Sequence, residues 1–300
     1  PEETQKVLRK KGMEIASDFI DNQCLTRFTD KAIEWMAGKE ADAKKGKPFF
    51  VYLPYTSPHY PVCPLPEYWG RGKAGGYGEF MIETDWHLGR ILKWLDDEKL
   101  ARNTVVIFTS DNGPETTWSK RIELYGHHSN GIYREGKRSI YEGGHRVPFL
   151  IRWPAKVKAG SQWDLPVCQT DILATLAEMV GSRLPPNAGE DSISFYPALR
   201  GGDTTKLAER VGMIHHSSNG RYAIREGKWK LIMEDGRRAK RELYNLSADP
   251  GEKSNLIRKH PDISTRLRMK LTTLVLNGRS SAGPVQKNDT GKWSDLVWMK

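Results

Sequence analysis

The sequence predicts an α/β fold over its first two thirds and a small α+β region after it. Three observations predict this. Two apolar runs of strand length, 48–55 and 104–110, flank a long helical pattern, which is a βαβ arrangement. A third apolar run, 147–153, is followed by another helical pattern at 170–181. Beyond about residue 200 the apolar period shortens to two around turn residues, the mark of antiparallel strands. The Pro-, Gly- and Ser-rich stretch 182–203 supplies the boundary. The expected domains are therefore 1–200 and 201–300.

Each element has its own reason. Residues 24–38 place Phe28, Ala32 and Trp35 or Met36 at helical spacing, with Thr29 or Asp30 as the cap. Residues 40–47 form a polar linker. The run 48–55 is continuously apolar, as in a strand buried on both faces of a parallel sheet. Met81, Leu88, Leu92 and Leu95 form one helical stripe, and the strand 104–110 follows. Two strands joined by a helix are parallel neighbours, so both end at one edge, at 56–61 and 111–115. Ligands of open α/β sheets bind outside that edge. A long loop, 116–145, leads to the strand at 147–153. Thr170 or Asp171 caps the next helix and Gly181 closes it. Residues 221–233 and 241–246 alternate like antiparallel strands about a turn at 234–238, and 260–278 reads as a last helix.

Composition narrows the function classes. Hydrophobic residues make up 38% of the chain, a globular proportion, and no apolar run approaches membrane-spanning length. The net charge of +10 is spread among acids, which reads as a solvated surface; no nucleic-acid motif accompanies it. Cys24, Cys63 and Cys168 are odd in number and lack C-x-x-C spacing, so neither a disulfide framework nor a zinc site is indicated. The chain opens at Pro1 within a polar helical pattern, and the expectation is that it continues upstream.

Several groups are candidates for chemistry. Asp111 and Asn112 end the second strand and offer two hard oxygen donors, suited to Ca²⁺ or Mg²⁺. Ca²⁺ takes roughly six to eight oxygens, so further donors are needed. The same Asn112-Gly113 pair also fits a tight turn, and the local pattern leaves both readings open. His59 stands between prolines in SPHYP, either as a donor to an anion or leaving group or as a half-buried loop histidine. Residues 134–146 concentrate Arg134, Lys137, Arg138, His145 and Arg146 among glycines, fitting either an anion site or a solvated basic loop. The pairs His127-His128 and His215-His216 each supply at most one ligand, and surface or packing roles suit them as well.

Together these pieces resemble the formylglycine-dependent sulfatases of the alkaline phosphatase superfamily. KPFFVYLPYTSPHYP (47–61) resembles the strand that ends in the family's Pro-His-x-Pro motif. DWHLGRILKWLDDEKLARNTVVIFTSDNG (85–113) resembles its helix, strand and metal-binding Asp-Asn-Gly. GKRSIYEGGHRVPFLIRWP (136–154) is similar to its Gly-Lys…Glu-Gly-Gly-x-Arg-Val-Pro segment, and 227–256 to its C-terminal subdomain. The likeness runs from about residue 25 to 257.

The resemblance implies an alkaline-phosphatase-like, mostly parallel sheet flanked by helices, followed by a C-terminal α+β subdomain with antiparallel strands. It implies hydrolysis of a sulfate ester on a small molecule or glycan. Asp111 and Asn112 would hold a divalent cation, usually Ca²⁺, and this chain context favours the metal over the turn. His59 and Lys137 would contact the sulfate and assist departure of the ester oxygen, while His145, His128 and His215 would line the substrate pocket. The family's C/S-x-P-x-R motif, source of the formylglycine nucleophile, has no match at Cys24, Cys63 or Cys168. The expectation is that it lies in an N-terminal segment upstream of residue 1, and that this chain alone has little or no activity. Glu135 and His145 stand where the family commonly has a small and an aliphatic residue. Family habit also implies a periplasmic or secreted protein. Two rival readings remain at this stage: a phosphoesterase or phosphonate hydrolase of the same superfamily, and a non-catalytic binder of sulfated glycans through Arg134, Lys137 and Arg138.

Overall fold

The computed structural model describes residue 6 and residues 9–236, 240–287 and 293–299. The chain divides into two compact units that interleave in sequence. The first comprises Pro1–Ile107, Thr117–Ser129 and Ile151–Ala155; the second comprises Phe108–Thr116, Asn130–Leu150 and Lys156–Lys300.

In the first unit, helix α1 (Cys24–Ala37) packs on helix α2 (Gly75–Asp97), burying Leu25, Met36, Phe80 and Leu95. The helix expected at 24–38 is present, but its cap is Gln23, not Thr29 or Asp30. Thr29 is fully buried inside the helix, where its hydroxyl lies 2.7 Å from both Leu25 O and the Tyr55 hydroxyl. A mid-helix threonine satisfies its hydroxyl on the preceding turn in this way. Of the expected stripe, Phe28 is 40% exposed; of its two alternatives at the next turn, Met36 is buried and Trp35 is 46% exposed. The buried face of α2 is partly polar. Glu83 and His87 lie 3.8 Å apart with no exposure, and Glu83 Oε2 accepts the Leu65 N–H at 2.9 Å. Thr84 Oγ1 lies 2.7 Å from Ser57 Oγ and so ties α2 to the loop that carries His59.

The run 48–55 corrects the expected strand. It forms no ladder among the described residues, and Phe50 and Tyr52 are 67% and 79% exposed. An apolar run becomes a buried strand only when another backbone pairs with it, and none of the described residues does. The strand at 104–110 is present as β1 (Val106–Thr109), but its neighbour is β2 (Phe149–Arg152) rather than 48–55. Of the large sheet that the resemblance implies, the described residues hold these two strands.

The second unit contains an antiparallel sheet in the order β3 (Met213–His216), β4 (Tyr222–Glu226), β5 (Trp229–Ile232), β6 (Glu242–Asn245). The β4–β5 turn uses Gly227 at φ +53°. The turn expected at 234–238 lies partly outside the described residues. Alternation gives the sheet two apolar faces. One face, with Ile224, Leu231 and Leu243, packs on Leu267, Leu271 and Leu274 of a long helix, Pro261–Asn277, and on Trp298. That helix ends at Gly278 in the left-handed conformation, as the last predicted helix requires. The other face, with Ala223, Ile232 and Tyr244, receives Ile140 and Tyr141. The Gly-rich basic loop therefore lies directly on the sheet. Helix Asp171–Met179 follows Thr170 as expected, and Gly181 (φ +71°) ends it. The three cysteines are free.

Candidate active site

Residues 110–116 leave β1 as an open loop. Neither Asn112 nor Gly113 has a positive φ, which the two-residue hairpin reading demands. The glycine serves close approach instead. A Cβ on Gly113 would stand 1.8 Å from Gly143 O and 3.2 Å from Gly144 Cα. The Gly113 N–H donates to Gly144 O at 3.1 Å, and the Lys137 N–H donates to Pro114 O at 2.8 Å. Two backbone hydrogen bonds thus clip the Asp111-Asn112 loop to the loop that carries Lys137.

On that loop Asp111 is exposed and Asn112 half-buried. Asn112 Nδ2 donates to Gly113 O at 2.9 Å, which leaves Oδ1 as the acceptor for other partners. Lys137 is half-buried, and its ammonium has no carboxylate partner among the described residues. By contrast Arg138 pairs with Glu115, whose carboxyl this hydrogen bond brings down to about 2. The unusual Glu135 sits at φ +57°, a conformation that favours glycine, and its carboxylate accepts the Ser139 hydroxyl.

Gly143 and Gly144 make the reverse face of the clip. A Cβ on Gly143 would lie 2.2 Å from Glu135 O, and one on Gly144 would lie 2.6 Å from Ser139 O. The short helix Glu142–His145 can nest in the loop only because both residues lack a side chain.

Beneath it lies a charge cluster that the sequence pattern did not disclose. Lys230, in β5, has no exposure, and its Nζ is 3.0 Å from both Glu142 Oε1 and Glu252 Oε1. Glu142 Oε2 is also 3.2 Å from Arg225 and 3.5 Å from Arg146. The Glu142 N–H donates to Glu252 Oε2 at 2.6 Å. Burial pushes Glu142 up, but Lys230, His215 and Arg225 outweigh it and hold the carboxyl at about 2. Burial dominates at Glu252 and raises it. Lys230 and Arg225 alternate with Ile232 and Ala223 on the loop-facing side of the sheet. A lysine in an alternating strand reads from sequence as outward-facing, which is why it was missed.

His145 and His215 stack, with ring centroids 4.5 Å apart and planes 12° from parallel. His145 Nε2 and His215 Nδ1 are buried without a hydrogen-bond partner among the described residues. Burial, with Lys230 close by, lowers His145 to about 4 and takes His215 well below the ordinary imidazole value. Both rings are therefore neutral at pH 7. His216 turns the other way and stacks on Tyr222 at 4.2 Å.

The structure thus brings Asp111, Asn112 and Lys137 onto clipped loops, and His145 onto His215, all within the second unit. His59 and His128 belong to the first unit, and both are exposed. His59 Nδ1 lies 2.7 Å from Tyr60 O; a carbonyl only accepts, so Nδ1 carries the proton and Nε2 faces outward. No group of three or more His, Cys, Asp or Glu side chains is gathered for a metal among the described residues. The oxygens at 111 and 112 are of the kind a hard cation takes, but are too few to make its shell.

A sulfatase family profile matches residues 9–182, and the profile of the N-sulphoglucosamine sulphohydrolase C-terminal region matches residues 130–277. The chain is 38% identical over 240 residues to an N-acetylgalactosamine-6-O-sulfatase of Bacteroides thetaiotaomicron, covering 74% of this chain and 46% of that protein. It is 38% identical over 155 residues to the steryl-sulfatase of Homo sapiens, covering 51% of this chain and 26% of that protein. A solved chain from work on glycosaminoglycan metabolism by Bacteroides thetaiotaomicron superposes with a TM-score of 0.75 at 34% identity, over 85% of this chain and 55% of that one. The fold is that of the alkaline-phosphatase-like sulfatases. The chain spans between about a quarter and a half of the curated relatives it matches.

Proposed function

The chain belongs to the sulfatase family, and from that premise we propose that the protein it forms part of hydrolyses a sulfate ester, with a sulfated sugar as the substrate class. The supporting observation is the backbone clip of Gly113 on Gly144 and Lys137 on Pro114. It holds, on adjoining loops, two hard oxygen donors and an ammonium that has no carboxylate partner among the described residues.

In this reading Asp111 and Asn112 would supply part of the shell of a divalent cation, Ca²⁺ or Mg²⁺, whose chemistry would be to polarise the sulfate ester. Lys137 Nζ neutralises a second sulfate oxygen and the charge that develops in the transition state. His59 keeps Nδ1 on Tyr60 O, so its imidazolium form presents an Nε2 proton for the departing alcohol oxygen. His145, His215 and His128 contribute to substrate binding. The nucleophile would be a formylglycine supplied by another segment of the same protein. Residues 1–200 provide part of the catalytic α/β domain and 201–300 the small subdomain. Placement in the periplasm or outside the cell follows family habit; no described helix is long and apolar enough to cross a membrane.

The test is hydrolysis of nitrocatechol sulfate against nitrophenyl phosphate by the full-length protein, with and without a chelator. Chelator-sensitive sulfate release is expected. A clear preference for the phosphate ester overturns the proposal, as does salt-sensitive binding of heparin-like polymer with no turnover of either ester.

A further inference from the structure

We infer that Lys230 is a positioning residue for the proposed cation and sulfate loops, acting through Glu142 from the far side of the short helix. Among the described residues, no hydrogen bond or ion pair joins Lys230 directly to Asp111, Asn112 or Lys137; its partners are Glu142 and Glu252. Its Nζ bridges Glu142 and Glu252 at 3.0 Å each, with no exposure to water. Glu142 is held at both ends, by its carboxylate on Lys230 and Arg225 and by its N–H on Glu252. The next two residues are Gly143 and Gly144. Gly144 O accepts the Gly113 N–H, and Gly143 O lies where a Gly113 side chain would begin. Gly113 directly follows Asp111 and Asn112. An unbroken series of contacts therefore runs from a strand of the C-terminal sheet, through one ion pair and two glycines, to the oxygen donors.

The charge balance explains why the brace is stiff. Two carboxylates face one ammonium and two guanidiniums; Arg146 lies partly in water, so the buried part of the cluster, with Lys230 and Arg225, is close to neutral. A buried pair of this kind contributes little net stability, but losing one partner is strongly unfavourable because the other charge stays buried. Without Lys230, Glu142 and Glu252 are left to repel each other around Arg225. The segment able to move apart is the Glu142–His145 turn, because the strand beneath is fixed by its ladder.

The effect on catalysis rests on the sulfatase reading, whereas the effect on loop geometry does not, and the experiment separates them. In the full-length protein, Lys230→Met and Glu142→Gln are compared with the wild type by hydrogen exchange of the amides of Gly113, Lys137, Leu231 and Leu243. Terbium luminescence reports cation binding, and aryl sulfate turnover is measured alongside. Exchange at Gly113 and Lys137 is expected to quicken roughly tenfold or more, with strand amides still protected. The cation concentration for half-saturation is expected to rise by a similar factor, and kcat to fall more than KM rises. If Gly113 and Lys137 exchange as in the wild type while Lys230→Met is folded, the inference is wrong. It is equally wrong if both variants lose strand and loop protection together, which marks a purely structural ion pair. If the loops loosen but no variant or wild type cleaves a sulfate ester, the positioning role stands and the sulfatase reading falls.

Discussion

Gly113→Ala is the sharpest test of the clip. The new Cβ would begin 1.8 Å from Gly143 O, whereas real Cβ contacts essentially never fall below 3.0 Å. The two backbones must separate by about 1.2 Å, a gap set by packing that does not compress. That opening takes the Gly113 N–Gly144 O distance from 3.1 Å beyond hydrogen-bonding range. Gly113 lies outside the left-handed region, so no backbone strain is added. The loss is the sum of overpacking, about 1–3 kcal/mol, and one backbone hydrogen bond, about 1 kcal/mol. A cost of about 2–4 kcal/mol, confined to the second unit, is expected. With the donors at 111 and 112 displaced by an ångström, turnover of an aryl sulfate should fall on the order of a hundredfold. Differential scanning calorimetry and initial rates, with Gly126→Ala as the control, measure both quantities. Gly126 sits at φ +63° with nothing within 4 Å of its Cβ, so only about 1 kcal/mol of conformational cost is expected there. If Gly113→Ala costs no more than Gly126→Ala and turns over normally, the close-approach reasoning is refuted.

Other outcomes follow from the same geometry. Lys137→Ala should leave the melting temperature within a degree or two and lower kcat on the order of a hundredfold or more, because it removes a half-buried cation with no carboxylate partner among the described residues; an unchanged kcat removes Lys137 from the mechanism. His145 is folded with its pKa pushed down to about 4 by burial and by Lys230, with His215, Glu142, Arg225 and His216 nearby. The unfolded chain therefore binds the proton first, and stability should decline as pH falls from about 6.5 towards 4, by on the order of 2–3 kcal/mol. Denaturation midpoints across that range should flatten in His145→Leu, and an equally steep wild-type and variant profile would place the acid sensitivity elsewhere. Leu271→Ala should cost about 2–5 kcal/mol, since Leu271 has no exposure and fills the interface of helix and sheet; a urea titration that moves by less than a quarter of this would show the site collapses around the gap.

What the amino-acid pattern alone determined is local. The strand β1 and its stop just before Asp111 follow from an apolar run meeting a carboxylate, and the antiparallel strands beyond residue 220 follow from alternation, although alternation does not reveal the turn at Gly227 that divides 221–233 into two strands. The last helix follows from its spacing and from Gly278, and the loop motifs carried the family resemblance without any coordinates. What only the tertiary structure decided depends on partners distant in sequence. The run 48–55 reads as a strand, yet pairing is made by another backbone, and among the described residues β1 pairs with β2 instead. Asn112-Gly113 reads as a turn, yet the glycine answers to Gly143, thirty residues on, a distance that no local period encodes. Lys230 reads as a solvated charge, yet two carboxylates from separate loops close over it. Periodicity tells which face of an element is apolar; only the folded chain determines what that face meets, and a charge or a glycine takes its meaning from that neighbour.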